Sequence, residues 1–142
     1  MTEIKPTRLE KILSGSGMLI CILITMIIWT GIGPYQDTLP LPGGYFVELM
    51  LGAVICTLAL WIQFEDAGLI SWIYSGLLAG FIILGLFSVG IFYFPVFLIF
   101  TTLSIYSDLK RKKSILVNSA IGLLAGILQV GGMLAIIALF FR

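Results

Sequence analysis

Residues 67–107, AGLISWIYSGLLAGFIILGLFSVGIFYFPVFLIFTTLSIYS, run for 41 positions without a single Asp, Glu, Lys or Arg. As one straight helix, at about 1.5 Å per residue, this stretch would extend about 60 Å, twice the roughly 30 Å hydrocarbon core of a bilayer. Tilt cannot absorb a mismatch of that size. The run has to fold back, and Ser88-Val89-Gly90-Ile91-Phe92-Tyr93-Phe94-Pro95 supplies the Gly and Pro for the turn. Two helices are expected, 69–89 and 91–107, the second short enough that a re-entrant segment is the alternative.

Working outward, three more apolar stretches appear. Residues 12–32 contain no charge, and residues 45–64 contain one acid, Glu48, in what reads as the first turn. Between them lies a Pro/Gly-punctuated polar loop, 33–44, expected to pack over the helix ends. The last stretch, 115–141, follows the basic cluster Lys110-Arg111-Lys112-Lys113. The first span reads as a retained anchor, since no small-x-small cleavage pattern follows it. The expected architecture is an all-α integral membrane protein, a compact bundle of about five transmembrane helices. Residues 1–11 form an N-terminal segment and residues 12–141 a single helical domain.

Composition agrees. The chain of 142 residues is 60% hydrophobic and 11% charged, whereas soluble domains are about 45–50% apolar and roughly a quarter charged. A net charge of +1 leaves no nucleic-acid footprint. Without histidine there is no His-ligated metal, Ser-His or Cys-His pair, or histidine pH switch. Cys21 and Cys56 lack a CxxC or a His neighbour, so no metal site and no cofactor is expected. No P-loop, Rossmann glycine pattern, HExxH or GxSxG is present, and general acid–base work lacks positioned titratable groups, so an enzyme is not expected.

Charge bias sets an expected orientation. With five spans, Lys5, Arg8, Lys11 and Lys110–Lys113 share one side and only Arg142 lies on the other. The positive-inside rule then puts the N-terminus in the cytoplasm of a multi-pass protein, with a bacterial cytoplasmic membrane as its expected location. Trp61, Trp72 and Tyr106 fall at the inner interface, and Trp29, Tyr35, Tyr45 and Tyr93 at the outer one. The cluster Lys110, Arg111, Lys112 and Lys113 would also attract anionic headgroups.

Helices in lipid associate through close packing and a few hydrogen bonds. Ser71, Ser75 and Ala79 form one ridge of the third helix, with Gly76 and Gly80 beside it. The word GLLAG at 76–80 recurs at 122–126, giving Gly122, Ala125 and Gly126. Both helices run the same way, so a parallel glycine contact is expected. Asn118, Gly122, Ala125 and Gln129 lie within an arc of about 60°, a small-residue face with an amide near each end. That face should meet protein, through interhelical hydrogen bonds, with no ionisable partner at the depth of Gln129. Glu48 is expected at the membrane interface, favoured by the helix dipole. The hydroxyls Thr101, Thr102, Ser104 and Ser107 are expected to bond back to helix carbonyls.

Two functional readings follow. The first is a non-catalytic packing or accessory protein, partnered by the lipid bilayer and by a homo-oligomer or a larger membrane complex. The second is a small oligomeric transporter or channel using Gln129, Asn118, Glu48 and the fourth-helix hydroxyls.

Overall fold

A computed structural model describes residues 5–31, 41–86 and 89–140, the side chains at 41–43 and 140 excepted. Five long helices account for almost all of it: α1 (Arg8–Gly31), α2 (Leu41–Trp61), α3 (Ala67–Leu84), α4 (Phe94–Arg111) and α5 (Ile115–Phe140). Each is long and apolar enough to cross a membrane, and no strand occurs among the described residues. The expected loop at 33–44 falls largely outside the described residues, and only its last four positions are seen, as the start of α2.

Local chemistry sets the helix ends. Thr7 and Glu10 form a capping box: the Glu10 amide donates to Thr7 Oγ1 at 3.2 Å, and the Thr7 amide to Glu10 Oε2 at 2.8 Å. Helix α1 therefore begins at Arg8, inside the segment read as N-terminal tail. The 41-residue run breaks at glycine. The Gly90 amide donates to the Gly85 carbonyl at 2.8 Å, and a Cβ on either residue would press into the other's backbone. A 3-10 turn over Gly90–Tyr93 then feeds α4, with Pro95 in its first turn, where a missing N–H is harmless. Counted from Gly90 to Arg111, this fourth segment has 22 residues and is no shorter than its neighbours need.

At the opposite end of the bundle, α2 and α4 close with the same device. Gln63 and Lys112 adopt left-handed backbone at φ 62° and 52°. The amides of Phe64 and Lys113 reach back five residues to Ala59 and Asp108. Both are Schellman ends built without glycine.

Helices α1 to α4 form an up-down-up-down ring in which α1 meets α2 and α4, and α3 meets the same two. Helix α5 lies outside it, against α3, with a lighter contact to α4. Burial follows: 56% of the α3 span is buried but only 17% of the α5 span. The ring interior is polar in places. Tyr74 donates to the Leu49 carbonyl at 2.9 Å and packs edge-on against Phe100, with Gly52 leaving room for its ring. Tyr93 is fully buried between Phe46 and Phe81, its hydroxyl 2.8 Å from Thr25 Oγ1. At this end of the bundle the 3-10 turn rolls the Tyr93 ring inward, where Thr25 satisfies the hydroxyl.

Candidate functional site: two amide–carboxylate pairs flanking a glycine seam

The two copies of GLLAG meet. A Cβ on Gly76 would fall on the Gly122 carbonyl, and one on Gly126 would lie 2.7 Å from the Gly76 carbonyl oxygen. Gly80 faces the Gly126 carbonyl, and Gly122 the Trp72 carbonyl at 2.5 Å. The contacts ascend in step, Trp72–Gly122, Gly76–Gly126 and Gly80–Gln129, so the two helices are parallel. Absent side chains let the backbones approach to where dispersion and Cα–H···O contacts act. Ala79 and Ala125 are half-buried. Ser71 and Ser75 are buried. Ser71 accepts a long contact from the Cys56 thiol at 3.8 Å, so it faces α2 and not α5.

An amide–carboxylate hydrogen bond stands at each end of this seam. Asn118 Nδ2 donates to Asp108 Oδ1 at 2.9 Å, and Gln129 Nε2 donates to Glu48 Oε2 at 3.0 Å. This corrects two expectations. Gln129 does have an ionisable partner at its own depth. Glu48 is not in the first turn, because α2 starts at Leu41, where Pro42 suits the first helical positions, and Glu48 is its eighth residue. Thirteen residues separate Glu48 from Trp61 and fourteen separate Gln129 from Ile115. At about 1.5 Å per residue, both lie about 20 Å from the same end of the bundle.

Asp108 carries no signal in the usual motifs, yet it is the most deeply buried acid among the described residues. It is fully buried, takes Trp72 Nε1 at 2.7 Å as well as Asn118, and sits so close to Gly68 that a Cβ there would be 2.5 Å from Oδ1. Its carboxylate thus lies at the N-terminus of α3, where a helix dipole favours negative charge. The signal that could have found it was an acid in the last turn of α4, which that helix's own dipole disfavours.

Three of the four clustered basic residues bind protein. Lys110 reaches Glu10 Oε2 at 2.9 Å and the Lys5 carbonyl at 2.7 Å. Arg111 donates to the Phe64 and Glu65 carbonyls, and Lys113 to Asp66 and the Glu65 carbonyl. They therefore clamp the N-terminal segment and the α2–α3 turn, placing positive charge against the C-terminal end of α2. Lys112 is exposed. Of the fourth-helix hydroxyls, Thr102 and Ser104 bond back to Leu98 and Phe100. The hydroxyl oxygens of Thr101 and Ser107 are buried without a hydrogen-bond partner among the described residues. Cys21 and Cys56 are buried free thiols, the first 3.5 Å from the Tyr74 hydroxyl.

Sequence reading also missed the buried seam of α1, Glu10, Ser14, Gly17, Cys21, Thr25 and Ile28. Its spacing of three and four residues was a usable signal. Thr57 donates to the Ser14 carbonyl, Trp61 to Ser14 Oγ, and Gly17 makes room for Phe100.

The fold is an all-helical bundle whose five helices are each long and apolar enough to span a membrane. Comparison of the chain with protein-family models, with curated proteins and with solved structures gives no match.

Proposed function

We propose that this protein is a non-catalytic, multi-pass membrane protein that acts through helix packing, as an accessory or scaffold element in the bilayer. The observation that carries this reading is that the two amides and the GLLAG glycines of α5 are engaged within the chain. Both amides are hydrogen-bonded to carboxylates, and both glycine pairs are buried against each other. Its remaining faces are apolar, with Leu116, Leu123 and Leu128 exposed by two thirds or more, a surface suited to lipid or to another membrane protein. The grouping of Lys5, Arg8, Lys11 and Lys110–Lys113 at one end favours an N-terminus in the cytoplasm, by the positive-inside rule.

In proteoliposomes, the chain should then support no ion or solute flux above empty vesicles. Gly126→Ile should disrupt folding or association, and Gln129→Leu should leave flux at background. Flux abolished by Glu48→Gln would sink the packing role. It would favour a small transporter or channel, a reading supported by the position of Glu48 well inside α2.

A further inference from the structure

Among the described residues, Glu48 is the one acid that lies well inside a span, and no basic residue among them faces it. Its carboxylate meets an uncharged amide, Gln129 Nε2, at 3.0 Å. On its own helix the nearest titratable group is Tyr45, one turn away. Helix α3 has no Asp, Glu, Lys or Arg; its Tyr74 hydroxyl is bonded to the Leu49 carbonyl and lies 3.5 Å from the Cys21 thiol. The charges of α1 (Arg8, Glu10, Lys11) and α4 (Asp108, Lys110, Arg111) all sit at the opposite end of the bundle, and Tyr93 is bonded to Thr25. Helix α5 brings no charge within its described residues.

We infer that Glu48 and Gln129 form a proton-binding clasp that fastens the outlying helix α5 to α2. A carboxylate inside a span needs a partner for its charge, and the proton is the occupant this site can take without a cation. Uptake converts the carboxylate and one proton into the acid, and no other group changes. The protonated acid can donate from Oε1 to the Gln129 carbonyl oxygen while Oε2 still accepts from Nε2. That closes a two-bond acid–amide ring in place of the single bond. Loss of the proton leaves a charge held by one amide between two helices, which draws water and loosens that half of α5. Gly80 leaves room beside the pair, since a Cβ there would stand 3.3 Å from the Gln129 Cβ.

This goes beyond packing, because a purely structural α5 would be indifferent to pH, and it rests on α2 and α5 spanning the membrane. The test is a distance measurement by paired nitroxide labels at Leu51→Cys and Leu128→Cys. Both positions are more than half exposed, and the native Cys21 and Cys56 would be replaced by Ala. In liposomes, one narrow distance is expected in acid buffer, with reversible broadening in alkaline buffer. Glu48→Gln, which keeps a neutral amide pair, should stay narrow in both, and Gln129→Leu should be broad in both. Collision with oxygen and with a water-soluble nickel complex reports whether the labels lie in lipid. Labels in water overturn the membrane-spanning reading and the clasp with it. Labels in lipid whose distance ignores pH, or a Glu48→Gln chain that still responds, overturn the clasp alone.

Discussion

Gly76 and Gly122 stand backbone to backbone: a methyl group on Gly76 would occupy the space of the Gly122 carbonyl. Peptide carbonyls in a helix cannot move aside as a flexible side chain can, so the overlap is relieved only by separating α3 from α5. Gly76→Ala should lower stability by about 1–3 kcal/mol or more, the range for overpacking. Thermal unfolding in detergent measures it. Gly131→Ala is the control, with nothing within 4 Å of the added methyl, and should leave the transition unmoved or slightly raised.

Asp108 receives Trp72 and Asn118 in a fully buried site. Asp108→Ala removes the acceptor from both, at about 1–3 kcal/mol for each donor left unsatisfied. Trp72 emission and the unfolding midpoint should shift together. Asp108→Asn, which keeps one acceptor oxygen, should fall between Ala and the parent chain.

Glu10 is 2% exposed and its cation Lys110 is 21% exposed. Removing the cation alone strands a buried carboxylate, and breaking such pairs costs about 3–5 kcal/mol, at the lower end here because Lys110 keeps some water. Lys110→Met should therefore destabilise far more than Lys112→Met, and Glu10→Gln with Lys110→Met should recover part of the loss. Chemical denaturation of the three variants decides it.

Gln63 and Lys112 hold left-handed backbone that costs an L-residue about 1–2 kcal/mol and glycine almost nothing. Glycine also gives the unfolded chain more freedom, worth about 0.4–1 kcal/mol in the other direction. Each substitution to glycine should thus stabilise by about 0.5 kcal/mol, read as a small rise in unfolding midpoint. A fall would mean that the side chain itself holds the turn.

Long uncharged runs made the helices legible, because span length and hydropathy depend on neither register nor partner. The fold-back of residues 67–107 was legible for the same reason. Asp108 was not, because its partners lie 36 residues before it and 10 after it. Glu48 was misjudged because α2 begins inside a stretch, Leu41–Gly44, whose Pro and Gly read as loop. The α3–α5 glycine seam was readable as a possibility, yet a repeated word does not say whether its mate lies in the same chain.

By itself, then, the sequence determined how many apolar helices form, where the chain must turn, and which end collects the basic residues. Those properties follow from local hydropathy and charge. Tertiary structure decided that α5 lies outside a four-helix ring, that Gly76 meets Gly122, and that Gln129 finds Glu48. Such pairings are set by which helices become neighbours. In apolar surroundings that choice turns on backbone approach and a few hydrogen bonds, which hydropathy does not record.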